Sequence, residues 1–162
     1  MTMAKHEAEI QADAKVPTIR IVRDFDAVPE HVFRAHVDPA LYAQWVGPHS
    51  VTTRITRWDA RTGGEWAFAN DRDGEEIAAF RGCFHEVRPH DRIVWTFTYD
   101  GEPDGVALET LTLEEIEGGR TRLRVLSVVP DFETRDGMLA GGMETGITEG
   151  YAKLDELLAK EA

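Results

Sequence analysis

A run of alternating aromatic residues between Asp59 and Phe97 constrains the fold of this chain more than any other segment. Turn residues at Asp73-Gly74 and at Pro89-His90-Asp91 divide the run into three strands. Large rings recur at alternate positions, which predicts an antiparallel sheet with one buried face. So many rings on one face form either a dense core or the wall of a cavity. The rings that share this face are Trp66, Phe68, Phe80, Phe84, Trp95, Phe97 and Tyr99.

The segment before this run predicts one strand and two short helices. The sequence TIRIVRDF from Thr18 alternates as a first strand. Pro29 opens a helix at its favoured first-turn position, and Asp38-Pro39 starts a second helix with the aspartate as N-cap. Residues 1–16 mix charges with alanine and lack an apolar stripe, so we expect a flexible tail or a short loose helix there. Residues 17–162 then form a single domain.

Further strands and a long helix complete the chain. The sequence VTTRITRWDA precedes the aromatic run, while ALETLTLEEI and RTRLRVLSVV follow it on either side of Gly118-Gly119. A helix begins at Pro130-Asp131 and runs toward Leu158, with apolar residues at helical spacing. This order predicts an α+β fold, in which a curved antiparallel sheet of about seven strands wraps around the C-terminal helix.

Glycines recur in this last helix in a regular pattern. Gly142, Gly146 and Gly150 are spaced by four residues and share one face, although each mid-helix glycine costs about 1 kcal/mol relative to alanine. One interpretation is close packing of the helix against the sheet. The other is room for a ligand beneath the helix, with Met138 and Met143 as adaptable walls.

Charge and composition exclude several classes of function. The formal net charge of −12 repels phosphate backbones and anionic lipid surfaces, so we expect neither nucleic acid nor membrane as a partner. Cys83 is the only cysteine, so no disulfide forms within the chain. The sequence lacks a signal-like segment and a long apolar run, and we therefore expect a cytoplasmic protein.

Five motifs, taken in order, resemble a known family: DFDAVPEHVFRAHVDPALYAQWVGP, DARTGGEWAFA, RGCFHEVRPHDRIVWTFTY, TLTLEE and GMETGITEGYAKLDELL. The order of elements resembles the helix-grip fold of the START-like SRPBCC superfamily. The motifs resemble its branch named for the activator of the heat-shock-protein-ninety ATPase, the AHSA1-like group, in the stand-alone bacterial form. The resemblance covers nearly everything from Thr18 to Leu158. It implies a hydrophobic cavity between sheet and helix, which in the superfamily holds lipids, hormones or polyketides.

One departure from this resemblance lies in the last helix, where Tyr151 stands at a position that is tryptophan in many relatives. We expect a ligand to contact both sides of the implied cavity. Trp45 stands where the resemblance places an aromatic at the cavity mouth, although core packing alone also explains this and the other rings. The predicted ligand-binding residues are Trp45, Trp66, Phe68, Phe84, Trp95, Phe97, Tyr99, Met138, Gly142, Met143 and Gly146.

Three ionisable residues are weak candidates for catalysis. Glu109 shares its strand parity with Leu111, and burial would raise its pKa and suit it to acid–base chemistry. His36 lies on the apolar face of the first helix, and Arg57 shares the apolar parity of its strand. The alternatives are strand ends in solvent for Glu109 and Arg57, and a satisfied core histidine for His36. No spacing matches a metal site, a nucleotide loop or a nucleophile motif, so we expect no metal and no cofactor.

Three functions are compatible with these residues. We favour binding of a small hydrophobic ligand without an established reaction, because of the aromatic parity and the glycine- and methionine-containing helix. The first alternative is an enzyme of the polyketide cyclase or hydrolase kind with an acid or base in the cavity. The second is an interaction module that activates a chaperone ATPase, which we favour least. Edge strands also leave a homodimer open.

Overall fold

Eight strands form one curved antiparallel sheet in the computed structural model, which describes residues 6–161. The strands lie in the order β1-β2-β8-β7-β6-β5-β4-β3. Their bounds are β1 Glu9–Ala12, β2 Thr18–Phe25, β3 Thr52–Trp58, β4 Glu65–Arg72, β5 Glu75–Arg88, β6 Arg92–Tyr99, β7 Ala107–Ile116 and β8 Arg120–Val128. The helices are α1 Pro29–Val37, α2 Pro39–Trp45, α3 Phe132–Ala140 and α4 Met143–Glu161.

The first strand, β1, was not predicted. Where we expected a flexible tail or a loose helix, Glu9–Ala12 pair with β2 in antiparallel register. Ile10 packs against the core, and the buried Arg135 of α3 donates hydrogen bonds to the backbone carbonyl oxygens of Asp13 and Val16. These contacts from distant residues hold the segment as an edge strand. Residues 1–5 of the expected tail lie outside the described residues.

The predicted C-terminal helix is two helices, because the helix is interrupted at Gly141-Gly142. Gly142 has a φ of +91°, a left-handed conformation that glycine adopts without the steric cost other residues have. Gly142 therefore lies outside α4, and the predicted row of three aligned glycines is wrong. Of the remaining two, Gly150 allows the closest approach, since a Cβ there would lie 3.2 Å from the Trp45 carbonyl oxygen. The glycine thus serves close packing of α4 on the end of α2.

Helix α4 covers the concave side of the sheet and is held there by a buried cation. The guanidinium of Arg23 in β2 donates to both carboxylate oxygens of Asp155, at 3.0 and 2.5 Å. The Arg23 side chain is only 4% exposed. Beside this pair, the rings of Phe25 and Tyr151 meet edge to face with centroids 5.3 Å apart. The contact joins the chain's second strand to its last helix.

We expect Asp155→Ala to lower the free energy of unfolding by about 2 kcal/mol. The substitution leaves the Arg23 charge buried without its carboxylate, a change that costs about 3–5 kcal/mol in a fully buried pair and less here because Asp155 is partly exposed. Urea denaturation measures the loss. Glu114→Ala is the matched control, because Glu114 and Arg124 form an exposed pair worth less than about 1 kcal/mol. Equal losses in the two variants would contradict the prediction.

Candidate ligand-binding site between the sheet and the C-terminal helices

The predicted aromatic face exists, and half of it is densely packed. Trp66, Phe68 and Trp95 are nearly inaccessible to solvent. The Trp66 ring lies 5.6 Å from Phe68, 5.7 Å from Trp95 and 4.9 Å from Phe97, measured between centroids. Phe84 is buried beside Trp95 at 5.8 Å. These rings belong to the core. They contact one another on one face of the sheet, as their alternation along the strands predicted.

Burial of the rings decreases toward one end of the sheet. Phe80 and Phe97 are half-buried with centroids 5.6 Å apart. Tyr99, the last residue of β6, lies two residues beyond Phe97. It is 43% exposed and packs on Phe80 with ring centroids 5.5 Å apart. The aromatic face is therefore closed at its centre and accessible at the end where β6 finishes.

Helix α3 lies beside this same end of the sheet, and α4 follows it. A Cβ on Gly105, in the loop before β7, would lie 3.2 Å from the Thr134 methyl group of α3. Half-buried apolar side chains from the two helices pack against the core. These side chains are Met138, Leu139, Met143 and Ile147. Of the predicted glycines, Gly142 is exposed and Gly146 faces Pro48, at 3.8 Å from a Cβ to the proline ring.

Glu109 is the ionisable group that faces this region. It lies in a row across the sheet, opposite Trp95 of β6 on one side and Ser127 of β8 on the other. The Trp95 ring N–H donates a hydrogen bond of 2.9 Å to the Glu109 Oε1. Glu109 keeps some accessible surface, while desolvation by the surrounding protein raises the pKa of its carboxyl despite the Trp95 and Ser127 groups that lower it. We define the candidate site as Phe80, Phe97 and Glu109 with Met138, Met143 and Ile147.

Two tyrosines lie near the Glu109 carboxylate. Burial raises the pKa of the Tyr42 and Tyr151 hydroxyls, and the negative charge of Glu109 raises both further. Arg23 acts in the opposite direction on Tyr151. Glu109 is thus a carboxyl group among aromatic rings from β6, α2 and α4.

Two buried polar atoms of the described residues have no hydrogen-bond partner. These atoms are the Trp66 Nε1 and the Ser127 Oγ. The Ser127 hydroxyl lies near Glu109 without reaching hydrogen-bond geometry. An unsatisfied buried donor costs about 1–3 kcal/mol.

His36 is a satisfied core histidine. Its side chain is 2% exposed, and its Nδ1 lies 2.8 Å from the Val32 carbonyl oxygen, so the neutral ring donates through Nδ1–H. Desolvation lowers the pKa of His36 to about 4. The Trp45 ring lies 4.9 Å away and donates its own N–H to the Ala35 carbonyl oxygen. Both side chains therefore belong to the core between α1, α2 and α4, outside the candidate site.

Arg57 points into solvent because β3 contains a bulge. The register with β4 shifts between Ile55 and Arg57, which reverses the face of every later side chain in the strand. Arg57 is exposed and pairs with Glu65 at 2.7 Å. Trp58 turns inward and donates its ring N–H to the Val37 carbonyl oxygen at 2.8 Å. Of the two interpretations of Arg57, a strand position in solvent is the one found in the structure.

Two depressions of about 400 Å³ each lie elsewhere on the described surface. One is formed by α2, β3 and α4 around Gln44, Thr53 and Lys153. The other lies between Glu9, Asp24 and Arg122 near the β1 edge. Neither is lined by a residue of the predicted ligand set. Residues 6–161 contain no cluster of three or more His, Cys, Asp or Glu side chains that could hold a metal ion.

The family model described as "Activator of Hsp90 ATPase homolog 1-like protein" matches residues 26–159. The chain belongs to this family. The match confirms the resemblance inferred from the five motifs and extends over α1 to α4 of this AHSA1-like domain. No curated protein matches the chain.

Solved structures similar to this AHSA1-like domain include a Rhodobacter sphaeroides protein with 27% identity and a TM-score of 0.85, covering 95% of this chain and 99% of that one. A Chromobacterium violaceum protein has 28% identity and a TM-score of 0.74, over 87% and 96% of the two chains. The AHSA1 protein from Silicibacter pomeroyi shares the fold at 23% identity and a TM-score of 0.71, over 90% and 99%. The helix-grip α+β fold is thereby confirmed, with eight strands instead of seven. No described helix has the length and hydropathy of a membrane span.

Proposed function

We propose that this AHSA1-like domain binds a small hydrophobic molecule in the candidate site, between the end of the aromatic face and the α3–α4 pair. The observation that carries the proposal is that both the sheet and the helices contribute apolar side chains that pack against the core and remain half-buried. Filling such a site removes more apolar surface from water, at about 25 cal/mol per Å². Pockets for small ligands are concave and mostly apolar, with few polar groups that orient the ligand.

The helix side of the site is suited to adapt to a ligand. Met138 and Met143 have flexible, unbranched side chains that fill irregular space. The Gly142 break separates α3 from α4, and the exposed Gly137 has no side-chain neighbour that restrains it. The firm contacts of α4, through Gly150, Tyr151 and Asp155, all lie in its later turns. A ligand at the start of α4 therefore leaves the contacts of Tyr151 and Asp155 with β2 undisturbed.

We expect Met143→Glu to weaken binding of N-phenyl-1-naphthylamine, a neutral apolar dye, by about tenfold or more. The variant places a carboxylate against the ligand, and tenfold corresponds to about 1.4 kcal/mol. Dye fluorescence titration measures the dissociation constant. Leu108→Glu is the control, because Leu108 is 46% exposed and has the opposite parity from Glu109 on β7. Failure of the wild-type protein to bind the dye would overturn the proposed function, as would equal affinities in Met143→Glu and wild type.

Acid–base catalysis in the same site is the second candidate function, and Glu109 alone favours it. His36 has too little accessible surface to reach a ligand, and Arg57 is in solvent. A carboxyl group whose pKa is raised toward neutral pH is a better general acid than an ordinary glutamate. Chaperone ATPase activation, which the family description names, and a homodimer stay predictions.

A further inference from the structure

Glu109 is a half-buried acid without a salt-bridge partner among residues 6–161. Its hydrogen-bond donor is the neutral Trp95 ring, and no lysine, arginine or histidine is among the groups that shift its pKa. The buried cation of β2, Arg23, already pairs with Asp155. A desolvated carboxylate is costly unless a cation or several donors compensate it.

Aromatic rings surround this carboxylate. Trp95 touches it directly, and the Tyr42 ring packs against Trp95 with centroids 6.1 Å apart. Tyr151 of α4 and Tyr42 of α2 lie near enough for the charge of Glu109 to raise the pKa of both hydroxyls. The face of an aromatic ring attracts a cation within about 6 Å of the ring centre. Rings combined with one carboxylate form the usual environment that proteins provide for organic ammonium ions.

We propose that Glu109 selects ligands that carry one ammonium group on an otherwise apolar skeleton, with the ammonium paired to its carboxylate beside the N–H edge of Trp95. The inference rests on the proposed function, because the apolar skeleton occupies the same candidate site. The net charge of −12 attracts such a cation and disfavours a fatty acid or another anionic lipid. The buried ammonium compensates the charge that no residue of the described chain neutralises.

Three probes of one shape test the selection: 1-naphthylmethylamine, 1-naphthylmethanol and 1-naphthoate, titrated by calorimetry at pH 7.5. We expect wild type to bind the amine at least about tenfold more tightly than the alcohol, and the naphthoate most weakly. Glu109→Gln should remove the preference for the amine, so that the amine and the alcohol bind with equal affinity. Glu114→Gln removes the same charge from the exposed side of the same strand and should behave as wild type.

Wild type alone provides a second measurement that does not depend on a variant. Since ammonium binding requires ionised Glu109, affinity for the amine should fall as the pH drops through the raised pKa of this group, by about tenfold per pH unit. Affinity for the alcohol should stay constant over the same range. Equal affinities of wild type for amine and alcohol, or an amine preference that persists in Glu109→Gln, would overturn the ammonium proposal while the proposed function stands. Binding of none of the three probes would overturn the proposed function itself.

Discussion

Gly82→Ala is expected to lower the free energy of unfolding by about 3 kcal/mol, at the upper end of the cost of overpacking. A Cβ at this position in β5 would lie 1.9 Å from the backbone oxygen of Thr96 and 2.7 Å from the ring of Trp66. The oxygen belongs to the neighbouring strand and moves only if the β5–β6 pairing moves. The indole lies among Phe68, Trp95 and Phe97 and has no free direction in which to shift.

Gly137→Ala is the matched control for this substitution. Gly137 lies inside α3, where a Cβ would meet nothing within 4 Å. Alanine there should raise the free energy of unfolding by up to about 1 kcal/mol through helix propensity. Urea denaturation of both variants gives the comparison, and a loss smaller than about 1 kcal/mol in Gly82→Ala would show that the strand pair accommodates the methyl group.

Acidification is expected to destabilise the protein through His36 by about 3 kcal/mol between pH 7 and pH 4. The folded state lowers the pKa of His36 from 6.5 to about 4, so between these values the unfolded chain binds a proton that the folded chain does not. Stability therefore falls as pH drops below 6.5 and levels off below about pH 4. Each pKa unit corresponds to 1.36 kcal/mol.

The variant His36→Phe isolates this contribution from the carboxylates that titrate in the same range. The difference in unfolding free energy between wild type and His36→Phe, measured by urea denaturation at several pH values, should change by about 3 kcal/mol from pH 7 to pH 4. His85→Gln, at an exposed position, controls for the loss of a histidine. A difference that does not vary with pH would contradict a neutral, buried His36.

The fold could be predicted from local patterns because most of its elements have strong periodicity. Alternating rings in β4, β5 and β6 identified the concave face, and Pro29 and Asp38-Pro39 began both short helices where expected. Two local signals were misread. The edge strand β1 depends on contacts with α3 far along the chain, and the Gly141-Gly142 pair was interpreted as part of a helix instead of its break.

The candidate site was less predictable than the fold. The inward parity of Glu109 was predicted correctly, but its hydrogen bond from Trp95 and its proximity to tyrosines of α2 and α4 come from elements far apart in the chain. Parity counting could not decide between the two positions of Arg57, because a bulge has no residue signature that it detects. Gly82 passed unnoticed, although a glycine within a strand is a known mark of close backbone approach.

By itself, the sequence determined that rings between Asp59 and Phe97 share one face, because side chains alternate along any extended strand whatever surrounds it. Only the tertiary structure decided which of those rings are core and which border the candidate site. That outcome depends on where α3 and α4 lie relative to the sheet, and on the interruption of the helix at Gly142. Burial is a property of elements brought together from distant parts of the chain, and no local pattern encodes it.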